Sequence, residues 1–377
     1  MAKRFHTLRV AALTRQTDEA TSITFAVPAS LREAFTYKPG QHLNIKFVID
    51  GEEARRSYSL NSCPQAPEPL QVTVKRVDGG LVSNFVNDRL RAGDELDVMP
   101  PTGQFAADIQ PDHYRHYFLF AAGSGITPIL SILKAVLYGE RHSFVHLFYG
   151  NTNQSTILFR EDLGALQEQF PDRFTLVHTL SAPYSDGSWW WNGRTGRIDR
   201  KAVEWFIDRH PPRAQTTEYF ICGPGAMNTT VRDTLLGLGV PREFIHIELF
   251  GGREGAAQED VQAVDNARLT AQLDGKRIEA TIPKGQTILD VLKANGQEPP
   301  YSCESGVCAS CRARLHRGTV QMRATFGLDE HDVEQGYILT CQALPTSPEL
   351  DVSYDALPSR REIQIVQSPR RSAVRGC

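Results

Sequence analysis

Apolar and polar residues alternate in four short stretches of the first hundred residues: SITFAVP (22–28), HLNIKFVI (42–49), LQVTVKRV (70–77) and DELDVMP (94–100). This period-two pattern belongs to strands with one buried face. Pro39-Gly40 and Gly79-Gly80 punctuate it, so residues 1–110 are expected to form a small antiparallel β-barrel. From YFLFAAGSGITPILSILKAVLYG (117–139) the pattern becomes apolar strand, glycine loop and amphipathic helix, with Ile129, Leu130, Ile132, Leu133, Val136 and Leu137 along one face. The strands FVHLFYG (144–150), FTLVHTLS (174–181) and EYFICG (218–223) alternate with helical stretches such as STILFREDLGALQEQF (155–170). That alternation predicts an α/β unit with a parallel sheet over 112–250. Residues 251–267, GGREGAAQEDVQAVDNA, are small and polar and read as a linker. A hairpin and a helix follow in a third unit, 268–356, and a tail occupies 357–377.

Charge adds mainly exclusions. In 377 residues, 41 basic and 44 acidic side chains leave a net charge of -3, which gives no basic footprint for nucleic acid. No run approaches the roughly 18 apolar residues of a membrane span, and the first twenty residues lack the apolar core of a secretion signal. A cytoplasmic protein is expected. Seven cysteines, an odd number without such a signal, point to metal or redox use rather than a disulfide framework.

Three of them, Cys303, Cys308 and Cys311, lie in YSCESGVCASC, and Cys341 follows in YILTCQALP. C-x4-C-x2-C with a distant fourth cysteine is the plant-type [2Fe-2S] spacing; zinc sites more often use two short pairs. Small residues, Ser305, Gly306, Ala309 and Ser310, let backbone amides approach cluster sulfur. Cys63 and Cys377 have no partner motif and read as a small hydrophobe or a bystander.

Two further groups carry chemistry. In RRSYSL, Arg56 can pair with a diphosphate, Tyr58 offers a flat ring face, and Ser57 and Ser59 offer hydroxyls; an ordinary surface strand is the alternative. DGGLVSNF follows, where Gly79 and Gly80 precede a helix whose first amides, with Ser83, can receive phosphate. In AAGSGITPIL, Gly123 and Gly125 permit a tight turn and Pro128 suits the first turn of a helix. FICGPGAMN (220–228) ends a second strand in a glycine loop, and ligands of open parallel sheets bind at such strand ends. A packing turn is the alternative there.

Together these motifs resemble the ferredoxin-NADP reductase superfamily, in the branch with a C-terminal plant-type ferredoxin domain. PGQHL, GEEARRSYS, AAGSGITP, YILTCQALP and DVSYDA look like the reductase subunits of bacterial phenylacetyl-CoA ring epoxidases, a layout shared by reductases of steroid and ring hydroxylases. The resemblance implies a β-grasp-like third unit. It implies FAD held by Arg56, Ser57, Tyr58 and Ser59, with Gly80, Leu81 and Ser83 at its diphosphate. Gly123, Thr127 and Pro128 would hold the nicotinamide dinucleotide, with Cys222, Gly223, Pro224 and Met227 on its nicotinamide side. Ser59, Cys222 and Glu248 would flank the reacting edge, and Phe250 would lie near the flavin or pack at a domain boundary. NADPH is expected over NADH as donor: Asn151 is not the acid that favours NADH. Ser181, followed by Ala182 rather than arginine, departs from the NADPH pattern, and Arg194 and Arg197 are the substitute cations for the 2'-phosphate. The run Trp189–Trp191 would stack on adenine or a partner, or pack locally. Electrons would then pass from NADPH through FAD and the cluster held by Cys303, Cys308, Cys311 and Cys341 to a separate, di-iron oxygenase. A non-enzymatic electron-relay protein is the rival of another class, but its fourth cysteine follows the third closely, whereas thirty positions separate Cys311 from Cys341.

Overall fold

The computed structural model describes residues 5–184, 191–212, 214, 216–250, 264–304, 306–325, 327–328 and 330–355. Trp189, Trp190, Ser305, Cys377, most of the linker and the tail lie outside the described residues.

Strands β1 (His6–Thr17), β2 (Ala20–Ala26), β3 (His42–Ile49), β4 (Glu52–Ser59), β5 (Gln71–Lys75) and β6 (Glu95–Val98) form one sheet in the order β4-β3-β6-β1-β2-β5, with antiparallel neighbours. A bridge between Leu60 and Val72 joins the two end strands and closes the barrel. Helix α1 (Leu81–Asp88) adds Val82 and Val86 to its core. The alternation of β3 accounts for both of its faces. Leu43, Ile45, Phe47 and Ile49 fill the barrel, while His42 and Asn44 on the outer face are also buried, because other parts of the chain cover them. Further along that face Lys46 pairs with Asp97 and Val48 is exposed. The alternation did not reveal β4, which was read from its motif, or the first strand, β1. Its register shifts between Val10 and Ala12 and again between Arg15 and Thr17, and each extra residue flips which side chains face the core.

The second unit runs β7 (Arg115–Ala122), α2 (Ile126–Gly139), β8 (Phe144–Asn151), α3 (Arg160–Gln169), β9 (Phe174–Leu180), β10 (Arg194–Thr195), α4 (Arg200–Arg209), β11 (Thr216–Gly223), α5 (Gly225–Gly237) and β12 (Ile245–Leu249). Every pairing in the sheet β10-β9-β8-β7-β11-β12 is parallel. Strand order reverses at β7, which opens a crevice beyond the C-terminal ends of β7 and β11. Helix α2 is buried on more than its expected face: Thr127, Pro128, Ser131 and Ala135 are covered as well. The barrel lies against it, with Ser131 Oγ donating to Ser62 O at 2.6 Å and Lys134 Nζ to Glu68 at 2.9 Å. The stretch 155–170 is helical only from Arg160. Before it Ile157, Leu158 and Phe159 turn into the core, and Phe159 has a left-handed φ of 57°.

The third unit is α+β. Strands β13 (Ala267–Leu273) and β14 (Lys276–Ile282) form a hairpin, followed by α6 (Ile288–Ala294), β15 (Arg312–Arg317), β16 (Val320–Met322), α7 (Glu330–Glu334), β17 (Tyr337–Leu339), β18 (Ala343–Pro345) and β19 (Glu349–Ser353). The sheet β14-β13-β19-β15-β17 is mixed, with β13 and β19 parallel, and α6 packs on it through Ile288, Val291 and Leu292. A capping box of Thr287 and Asp290 starts that helix. The unit begins before residue 268: β13 starts at Ala267, and Val264 N already donates to Pro345 O at 2.9 Å.

Candidate active site

The crevice of the parallel sheet depends on two glycines whose backbones must touch. A Cβ on Gly125 would overlap the carbonyl of Cys222, and one on Gly223 would lie 2.6 Å from Met227 Cε and 3.2 Å from the Ala122 backbone. The turns that end β7 and β11 are therefore packed at backbone distance, as close nucleotide approach requires. Gly123 adopts a left-handed φ of 54°, its carbonyl accepts from Tyr149 OH at 3.1 Å, and Thr127 Oγ1 donates to Ser124 O at 3.0 Å. Pro128 lies in the first turn of α2, and Pro224 precedes α5.

On the far side of this crevice the barrel presents Ser59 from the end of β4. Its Oγ donates to Glu248 Oε2 at 3.1 Å, although 189 residues separate the two. Cys222 lies beside Glu248 in the β11–β12 ladder, fully buried. The three residues expected to flank one reacting edge thus come together, on two different units. Burial pushes the Glu248 carboxyl up to about 8, with the Ser59 hydrogen bond pulling the other way. Its side chain is only 12% exposed. Burial, and then the nearby Glu248 charge, also raise the Cys222 thiol, so near neutral pH the pair is largely a protonated acid beside a neutral thiol.

Three neighbours were not legible in the sequence. His42 Nδ1 stands 4.0 Å from Glu248 Oε1. Asn228 Nδ2 donates to both Gly223 O and Glu248 O at 3.1 Å and so ties the ends of β11 and β12 together. Lys75 of β5 reaches across to the glycine turn, where its Nζ would lie 3.8 Å from a Cβ at Gly123. The sequence signal for His42 and Lys75 was their place inside strands already read; only the folded arrangement brings them to the crevice.

The remaining residues sort by position. Arg56 and Tyr58 share a face of β4 opposite to that of Ser57 and Ser59; Tyr58 packs edge-on to Phe47 and Arg56 is exposed. A flat ring face beside an exposed guanidinium fits an aromatic ring carrying a diphosphate. Ser83 Oγ closes the turn ahead of α1 by accepting from Val77 N at 3.1 Å; a Cβ on Gly80 would lie 2.5 Å from it, and Leu81 is exposed. Phe250 is 39% exposed rather than packed at a boundary. Ser181 is exposed, its amide donating to Asn151 O. Arg194 stacks its guanidinium 3.9 Å from the Trp205 ring, whereas Arg197 is exposed. Trp191 packs locally, donating from Nε1 to Arg194 O at 2.9 Å. Cys63 is fully buried, and burial pushes its thiol up to about 11, as for a small core residue.

The four cysteines of the third unit form two pairs, Cys303 with Cys308 and Cys311 with Cys341, each close enough for a thiol hydrogen bond. Two thiols per side fit a two-iron cluster. Left-handed backbone at Glu304, Gly306 and Ala309 curls the loop around them, with Cys308 N donating to Cys303 Sγ at 3.4 Å and Gln342 Nε2 to Cys341 Sγ at 3.5 Å. Such inward amides suit sulfur carrying negative charge.

Family models agree with this partition. An oxidoreductase FAD-binding domain matches residues 8–106, an oxidoreductase NAD-binding domain 119–233, and a 2Fe-2S iron-sulfur cluster binding domain 271–346. The chain is 36% identical to a component of the 1,2-phenylacetyl-CoA epoxidase of Escherichia coli, over 93% of this chain and 98% of that protein. It is also 36% identical to the ferredoxin reductase component of 3-ketosteroid-9-alpha-monooxygenase from Rhodococcus rhodochrous, over 92% and 96%. Among solved structures, phthalate dioxygenase reductase shares the fold over 93% of this chain and 98% of its own, with a TM-score of 0.56 at 24% identity. Among the described residues no helix is long and apolar enough to cross a membrane. With its FAD, NAD(P)H and [2Fe-2S] domains in this order, the chain belongs to the ferredoxin-NADP reductase superfamily, as a reductase component of multicomponent oxygenases.

Proposed function

We propose that the chain takes hydride from NADPH and delivers single electrons to a di-iron phenylacetyl-CoA epoxidase. Bound FAD and the [2Fe-2S] cluster supply the change from two-electron to one-electron chemistry; the residues of the chain hold, orient and shield them. Arg56 pairs with the flavin diphosphate and Tyr58 lies against its ring, while Gly80, Leu81 and Ser83 shape the turn beside the phosphates. Gly123, Thr127 and Pro128 seat the dinucleotide and Lys75 neutralises its diphosphate. Gly223, Pro224 and Met227 line the nicotinamide side. Ser59 and Glu248 form a neutral hydrogen-bonded couple at the reacting edge, Cys222 packs behind it, and Phe250, exposed just beyond β12, would lie near the flavin. Arg197, beside Ser181, meets the 2'-phosphate; Arg194 is already engaged with Trp205. Cys303, Cys308, Cys311 and Cys341 ligate the cluster.

The observation that carries the flavin–nicotinamide reading is the meeting of Ser59 with Glu248 beside Cys222, across two units. The choice of partner rests on the likeness to the epoxidase component over nearly its whole length. The equal identity to the steroid monooxygenase component supports a second reading, with that class of acceptor. Mixing the purified chain with each oxygenase and measuring coupled NADPH oxidation separates them. Product formation with the epoxidase is expected; turnover only with the steroid oxygenase would overturn the first assignment.

A further inference from the structure

The outer face of the β3–β4 hairpin carries four directly opposed pairs, His42–Ser59, Asn44–Ser57, Lys46–Arg55 and Val48–Glu53, and the first three meet different neighbours. The first faces Glu248 of the nucleotide unit. The second faces the third unit, as does Arg55 of the third pair, whereas Lys46 pairs with Asp97. Asn44, only 1% exposed, donates from Nδ2 to Ser310 Oγ at 2.7 Å and accepts at Oδ1 from Ser57 Oγ at 2.7 Å. With that proton committed, the Ser57 oxygen accepts from Ser302 Oγ at 3.0 Å. Ser302 and Ser310 adjoin Cys303 and Cys311, one from each sulfur pair. Next along the face, the Arg55 guanidinium lies 4.2 Å from the Tyr301 ring. A second contact stands apart: Gln104 Nε2 donates to Asp332 Oδ2 at 2.9 Å, and Arg312, next to Cys311, pairs with the other oxygen of Asp332 at 2.9 Å.

We propose that Asn44 is a positioning residue that seats the cysteine loop on the flavin strand, and that Ser57 belongs to this seat rather than to the flavin site. The inference rests on the reading of Arg56, Tyr58 and Ser59 as flavin-holding. The carboxamide lets Asn44 donate toward one serine from Nδ2 while accepting from another at Oδ1. The two hydrogen-bond ends grip the loop beside both sulfur pairs, so they fix where the cluster stands relative to Tyr58 and Ser59. Beside the Arg55–Tyr301 stack the grip is polar: among the described residues, the apolar clusters of the third unit contain no barrel residue. Such a contact holds geometry with little intrinsic adhesion.

The test compares the purified holoprotein with Asn44→Ala and, from the other side of the same bond, Ser310→Ala. Amide exchange over residues 301–311 should quicken by about tenfold in each, the factor expected from losing one or two neutral hydrogen bonds in a local opening. Asn44→Gln, which keeps both groups, should restore part of the protection. Flavin reduction by NADPH should stay within about twofold of wild type, while arrival of electrons at the cluster, followed by its visible absorbance, slows by more than that factor because the loop no longer stands at one fixed place on the flavin strand. The double variant should exchange no faster than Asn44→Ala alone, because the two share one bond. If Asn44→Ala does not fold, Ser310→Ala with unchanged iron content decides. Unaltered exchange, or quickened exchange with unaltered flavin-to-cluster transfer, would overturn the seat while leaving the flavin reading intact. A wild-type chain that bound no flavin would overturn that reading and the seat with it.

Discussion

Replacing Glu248 with glutamine tests the buried acid of the proposed flavin–nicotinamide edge. In the folded chain burial moves this carboxyl from an ordinary 4.5 to about 8. A carboxyl raised on folding stabilises the fold relatively below its unfolded value; this contribution is lost as pH rises from there through the folded value, because the unfolded chain ionises first. Between pH 4.5 and 8 the full difference corresponds to ~5 kcal/mol at 1.36 kcal/mol per decade. The side chain retains 12% exposure, and solvent relaxation lowers the cost, so roughly 2–3 kcal/mol is the working figure for the interval from pH 5.5 to 8.5. Glutamine keeps the shape and the Ser59 contact but cannot ionise. Glu248→Gln should therefore be near wild type in stability at pH 5.5 and more stable at pH 8.5, by about 4–6 °C in Tm for a cooperative body of some 250 residues. Differential scanning calorimetry of both holoproteins at the two pH values provides the measurement. Parallel pH dependence in the two proteins would refute the buried acid, since a carboxylate that ionised normally would give glutamine no alkaline advantage.

Three other outcomes are expected. Arg197→Ala should raise KM for NADPH much more than for NADH, whereas Arg194→Ala, which removes a guanidinium stacked on Trp205, should lower Tm and leave the preference between donors unchanged; steady-state kinetics with both donors and a melting curve check them. Arg56→Ala loses a charge-assisted contact worth roughly 1.5–3 kcal/mol and should weaken FAD retention by about tenfold or more, read as flavin content after extensive dialysis. Cys341→Ser removes one of four thiols and should abolish or perturb the [2Fe-2S] spectrum while NADPH oxidation with ferricyanide persists; wild-type oxygenase turnover without bound iron would remove the cluster from the electron path.

How far the sequence could be read depends on where each signal lies. The cysteine spacing sufficed for the cluster loop because its chemistry is local, nine positions from Cys303 to Cys311. Strand β3 was legible from its alternation to the residue; β1 was not, because two register shifts break its phase. Strand β4, with Glu52, Glu53, Arg55 and Arg56, has almost no apolar pattern and was legible only through its motif. The burial of Asn44 and His42 was beyond any pattern in β3, since it comes from segments distant in the chain, Ser310 over Asn44 and Gly103 with Glu248 over His42. Ser57 lies in a motif read for flavin, and its hydroxyl bonds to Asn44 and Ser302, neighbours that the motif does not announce.

Helix α2 is the common wall of barrel and parallel sheet, with hardly a side left to solvent. A recombination that replaced either of these units alone would have to match a new partner to that helix residue by residue, in volume as well as polarity. The cysteine-bearing unit meets the barrel mainly through polar and charged side chains, with Arg55 laid on the Tyr301 ring. Exchanging it between chains asks for changes at a handful of mostly polar positions, so diversification toward new electron acceptors has an easier route at this end of the molecule than at the other.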